Sequence, residues 1–222
     1  MTEKENVNRR NFLQRSLAAS TGAAMGVGME SRDLLAAAAT SGGDSPQGQT
    51  GMSYGQIKDL KISRIFCGGN LIGGWAHSRD LIYVSDLVKE YHTDEKVFET
   101  LELAEEQGVN TILTNPRSDR VINRYWNERG GRIQWISDCA WGPDIKTGIQ
   151  RSVDNGAHAV YVQGGIADKA VREGKVEELG EALEYIKEQQ LPGGLGAHCL
   201  ETIQACVDAG FKPDFWVKTL HK

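Results

Sequence analysis

No two cysteines in this sequence are spaced as CxxC or as a zinc ribbon; Cys67, Cys139, Cys199 and Cys206 stand apart. That excludes a ribbon-type metal site. Because three of the four fall in or beside predicted strands, they read as small buried hydrophobes. A stripe of basic residues with interleaved aromatics is also missing, and the net charge is −5. Nucleic acid is therefore not expected as a partner. No apolar run is long and uninterrupted enough for a stable membrane span. Glycines are plentiful, yet neither G-x-G-x-x-G nor G-x-x-x-x-G-K-[ST] occurs, and no HxH or HExxH pairs histidines for a metal. What remains is a mildly acidic chain of 222 residues, 40% hydrophobic.

The organising stretch is Val153-Asp154-Asn155-Gly156-Ala157-His158-Ala159-Val160-Tyr161-Val162-Gln163-Gly164-Gly165. It reads as a helix end, a glycine stop, a short strand covered on both faces and a glycine turn. The same grammar recurs at 106–115 and again at 207–218. Strands are expected over 60–66, 110–113, 133–137, 159–162, 194–197 and 215–219. Helices are expected from an N-cap at Thr93 to Gly108, and over 118–128, 144–154, 174–189 and 201–209. Alternation of this kind predicts an α/β protein with a parallel sheet. The expected fold is a (β/α)8 TIM barrel truncated after its sixth strand, occupying 57–222. An open doubly wound sheet is the alternative.

The first forty residues read as an address. Arg9-Arg10-Asn11-Phe12-Leu13, followed by a weakly apolar Ala/Gly-rich run, resembles a twin-arginine translocation signal. The expected partner is the twin-arginine export machinery and the expected location is the periplasm. Residues 41–56, rich in Gly, Ser and Gln, read as a flexible linker.

In a parallel barrel the residues at the carboxyl ends of the strands share one face. Those positions hold Asn70, Asn115, Asp138, Gln163, His198 and His221. Any one of them could serve as a helix cap, but as a set they suggest a site for a small polar substrate. Asp138, Gln163 and His198 are the candidate catalytic residues. His198 or Asp138 would serve as general base, with Asp138 the expected partner of His198. Asn70, His77, Asn115 and His221 would bind substrate, His77 from the long loop after the first glycines. His198 and His221, on consecutive strand ends, are also the candidate ligands for a divalent metal. The glycines at 68–74 read as a tight turn packed against neighbouring backbone. His158 precedes its strand and should lie on the opposite, stabilising face. Lys218 lies within the last strand, pointing inward or toward the helices.

From Leu60 to about Asp168 the chain resembles the aldo/keto reductases. The likeness rests on the strand 62–70 ending in glycines, the helix 100–110 and the strand 157–163. The resemblance implies a barrel and hydride transfer from NADPH by a tyrosine, lysine, aspartate and histidine set. Leu113 stands where the aspartate belongs, the loop 114–119 has no tyrosine, Asp138 or Cys139 replaces the lysine, and Gln163 replaces the histidine. NADPH is therefore not expected as a cofactor. The expected function is that of an exported reductase-like enzyme acting on a sugar or carbonyl compound. A metal-assisted lyase, isomerase or hydrolase is one alternative, and a non-catalytic binding protein or inactive fragment is the other.

Overall fold

The chain divides into two units, Met1–Gly48 and Gln49–Lys222. A computed structural model describes residues 51–76 and 80–219, all within the second unit. The twin-arginine motif, linker residues 41–50, His77 and His221 lie outside the described residues.

The second unit opens with a hairpin, β1 (Tyr54–Ile57) and β2 (Leu60–Ser63), paired antiparallel. Its tight turn puts Lys58 at φ 47°. A parallel sheet follows, made of β3 (Cys67–Gly68), β4 (Thr111–Thr114), β5 (Gln134–Ser137), β6 (Ala159–Val162), β7 (Gly193–Ala197) and β8 (Phe215–Lys218). The strands lie in sequence order, β3-β4-β5-β6-β7-β8. Between them run α1 (Val84–Tyr91), α2 (Asp94–Glu106), a 3₁₀ turn (Pro116–Ser118), α3 (Asp119–Arg129), α4 (Ile145–Asp154), α5 (Gly164–Arg172), α6 (Glu177–Glu188) and α7 (Leu200–Asp208).

The expected eight-stranded barrel is not what forms. Among the described residues the sheet is an open half-barrel of six parallel strands, with a separate two-stranded antiparallel sheet beside it. The run 60–66, expected as the first barrel strand, divides. Its first half turns back onto Tyr54–Ile57, and parallel pairing begins only at Cys67, against Ile112. The doubly wound alternative also fails, because among the described residues the helices pack against one face of the sheet while strand residues alone make up the other core. Right-handed crossovers between strands laid in sequence order put successive helices on the same side.

Alternation along the strands sorts two cores. On the helix-bearing face Ile112, Trp135, Val160, Val162 and Leu195 pack with Phe98, Ile122, Ile149, Leu179 and Ile186. On the concave face Ile136, Ala159 and Tyr161 pack with Leu113, Phe215 and Val217, and the hairpin adds Ile57 and Leu60. Polar bonds fix the hairpin at the amino-terminal end of the sheet. Ser63 N–H donates to Asn110 Oδ1 at 2.8 Å, Asn110 Nδ2 donates to the Lys61 carbonyl at 2.8 Å, and the Tyr54 hydroxyl donates to the Gly108 carbonyl at 2.9 Å. Thr93 caps α2 and Asp144 caps α4 through their side chains, as their sequences suggested. No helix among the described residues is long and apolar enough to cross a membrane.

Candidate functional site

Strand register decides which residues at the carboxyl end of the sheet can meet. Thr114 pairs with Ser137, Ser137 with Val160, Tyr161 with Gly194, and Gly194 with Phe215. Advancing one residue past the first pairs sets Asn115, Asp138, Tyr161, Gly194 and Phe215 at one level across five strands. Gln163 stands one level higher, beside Gly196 and Val217. His198 lies four residues beyond Gly194, roughly 13 Å farther along the strand direction at ~3.3 Å per residue. Asp138 and His198 are therefore not partners. The expectation that they pair is corrected by the register.

The lower level is half apolar. Tyr161 is 5% exposed, and its ring meets Phe215 edge-on at 6.2 Å between centroids. Phe215 can reach it because β7 has no side chain in between: a Cβ at Gly194 would stand 2.5 Å from Phe215 Cε2. Among the described residues the Tyr161 hydroxyl has no hydrogen-bond partner. Burial, and then the nearby Asp138 and Cys139, push the phenol well above its ordinary range, so it stays protonated. Asp138 Oδ1 accepts from the Ala140 N–H at 2.9 Å. Burial raises its carboxyl to about 6, and that single backbone bond only partly opposes the rise. Cys139 is buried at φ 48°, and burial pushes its thiol up to about 12. It is not a reactive thiolate.

Two of the polar rim residues cap helical turns. Gln163 Oε1 accepts from the Ile166 N–H at 3.1 Å at the start of α5, and Asn115 Oδ1 accepts from the Arg117 N–H at 2.8 Å. Each amide spends its oxygen on a cap, and its NH₂ has no partner among the described residues. Asn70 is exposed in the turn after β3, where its carbonyl accepts from Trp75 N–H at 2.8 Å. The neighbouring glycine is there for packing, since a Cβ at Gly69 would overlap Thr114 Oγ1 at 1.8 Å. The lysine of β8 points away from the concave face, with Lys218 Nζ donating to the His198 carbonyl at 2.8 Å.

His198 has a carboxylate that the sequence reading did not find. Asp168, on α5 and only 4% exposed, sets Oδ2 at 2.8 Å from His198 Nδ1. The same carboxylate accepts from the backbone N–H of His198 at 3.1 Å, from Cys199 N–H at 3.4 Å and from the Thr202 hydroxyl at 2.6 Å. Burial works against its charge, but the bonds from Thr202, His198 and Cys199 outweigh burial and hold the carboxyl low. With Nδ1–H committed to Asp168, a neutral His198 presents the Nε2 lone pair from a side chain that is 51% exposed. The ring rests on α5 at Gly164, where a Cβ would come 2.9 Å from His198 Cε1. Gly164-Gly165 reads as a turn in the sequence, and α5, which they open, was missed for that reason. Asp168 was missed with it. Tyr161 was legible in principle, since it shares the inward parity of Ala159.

Among the described residues no three of His, Cys, Asp and Glu are grouped to hold a metal ion. Of the two histidines expected to ligate one, only His198 falls within the described residues. His158 lies at the amino-terminal end of β6, half-buried, where its Nδ1 accepts from Trp135 N–H at 3.2 Å, a structural position as expected. No family model matches the chain, and no curated protein matches it.

Proposed function

We propose that this chain is an exported enzyme that moves a proton on a small polar substrate at the carboxyl rim of its sheet, with His198 as general base. One observation carries the reading: a buried carboxylate that accepts four hydrogen bonds holds a half-exposed imidazole by Nδ1, and Nε2 has no partner among the described residues. A histidine held this way needs little reorganisation to take a proton, and its imidazolium gains a charge partner as it forms. Asp138, with its carboxyl near 6, can exchange a proton close to neutral pH. Export follows from Arg9-Arg10 and the apolar run behind them.

The test is carbon-bound proton exchange. Small hydroxy-aldehydes and hydroxy-ketones are incubated with the protein in D₂O, and loss of the C–H signal is followed by proton NMR. The parent should exchange, and His198→Gln should be slower by about 10²–10⁴-fold. Exchange that His198→Gln leaves unchanged would overturn the assignment. Exchange lost on chelation would replace it with metal-assisted chemistry at the same histidine.

A further inference from the structure

The level that holds Asp138 and Tyr161 lies well below His198 along the strands, and its polar groups are uncommitted among the described residues. The Tyr161 ring is buried, but its hydroxyl is open to solvent and has no hydrogen-bond partner among the described residues. On the adjacent strand, at the same level, Asp138 commits one oxygen to Ala140 N–H and keeps the other free. Neither bonds the other. Beside and above them the oxygens of Asn115 and Gln163 cap helical turns, and their NH₂ groups have no partner among the described residues.

Polar groups open to solvent and engaged by no side chain can take hydrogen bonds from a guest molecule in place of water. Complementarity narrows what that is. The phenol donates and the carboxylate accepts, so the guest group must accept and donate at once, as an alcohol hydroxyl does. A carboxylate or phosphate guest would meet Asp138 with like charge, and the lysine of β8 is turned to carbonyls rather than to this face. A purely apolar guest would leave both groups stranded. Phe215 and Ile136 flank the pair, so the carbon bearing the hydroxyl meets an apolar wall. The amides at Asn115 and Gln163 offer donors to further hydroxyls.

We infer that Tyr161 and Asp138 form the floor of a hydroxyl-binding subsite for a polyhydroxylated, uncharged substrate of the sugar class, Tyr161 donating to and Asp138 accepting from one hydroxyl group. This rests on the reading of the rim as a substrate site and names the substrate class of that site.

D-xylose is the probe, titrated calorimetrically into the parent and three variants. The parent should bind it, and Tyr161→Phe and Asp138→Asn should each weaken binding by at least about tenfold. His198→Gln should leave affinity within about twofold, because His198 acts on the reacting carbon. Asn115→Ala supplies a further reading should either floor variant fail to fold, with at least about a threefold loss expected. A parent that does not bind D-xylose, or floor variants that fold and bind it unchanged, would overturn the subsite. Binding that needs Tyr161 in a protein with no exchange activity would sink the proton-transfer reading and keep the subsite. Exchange that needs His198 but ignores Tyr161→Phe would do the reverse.

Discussion

Asp168 and His198, thirty positions apart in sequence, meet at 2.8 Å across the junction of α5 and β7. The contact joins two tasks in one carboxylate. It orients the imidazole and also accepts from the backbone N–H groups of His198 and Cys199, which lead into α7. Asp168→Ala should therefore lose both. Unfolding free energy should fall by about 2–4 kcal/mol, because the buried Thr202 hydroxyl and the part-buried N–H groups of His198 and Cys199 lose their acceptor. His198→Gln should cost less than about 1 kcal/mol, since the ring is half exposed. Chemical denaturation of the two variants side by side checks the contrast.

Asp138 should make the protein less stable as pH rises. Its folded carboxyl titrates near 6, above its unfolded value of about 4, so between those values the folded state holds the extra proton. Stability is then greatest below about 4, for this group alone, and falls through the window to a plateau above about 6. Asp138→Asn should remove the slope and raise stability at pH 8 by about 1–3 kcal/mol. Melting curves across the pH range read it.

His158 should act in the opposite sense. Burial lowers its folded titration, so as pH falls below about 6.5 the unfolded chain takes up the proton first and stability drops. His158→Gln should flatten that part of the profile. It should cost about 1 kcal/mol at neutral pH through the bond to Trp135 N–H, with substrate turnover unaffected.

Gly194→Ala should destabilise the concave core by about 1–3 kcal/mol, because the new methyl meets Phe215 Cε2 and Cζ at 2.5 and 2.6 Å. Pairing it with Phe215→Leu should recover part of the loss. A double-mutant cycle measures that coupling, and strictly additive costs would show the two residues to be independent.

Arg9→Lys with Arg10→Lys should retain the protein in the cytoplasm of an exporting host, where the parent reaches the periplasm. Fractionation and immunoblotting decide it.

Most of the parallel strands and their helices were legible because apolar periodicity and glycine stops mark them strongly, as at Thr111–Thr114 and Ala159–Val162. The barrel was not, since closure depends on pairing between distant strands, which no local pattern encodes. Leu60–Phe66 misled for a related reason: its alternation suits an antiparallel hairpin as well as a parallel strand. The rim residues Gln163 and Asn115 were found by position, but their oxygens proved to be helix caps. Asp168 was hidden because Gly164-Gly165 look like a turn, and the closeness of His198 and of the β7 backbone explains why glycine opens a helix there.

The in-order sheet also bears on how the chain acquires its structure. Every parallel strand finds its partner in the strand just before or just after it along the chain. Ordering one strand against its predecessor closes only a loop the size of one helical unit, so the entropic cost of closure is met in small, similar steps. Relative contact order is correspondingly low for a sheet protein, which favours rapid folding. A chain emerging from the ribosome amino end first can dock each βα unit onto the one already formed, needing no strand not yet made. For a protein whose proposed route across the membrane carries folded cargo, early completion of each unit would shorten the interval in which half-built sheet edges are open to aggregation.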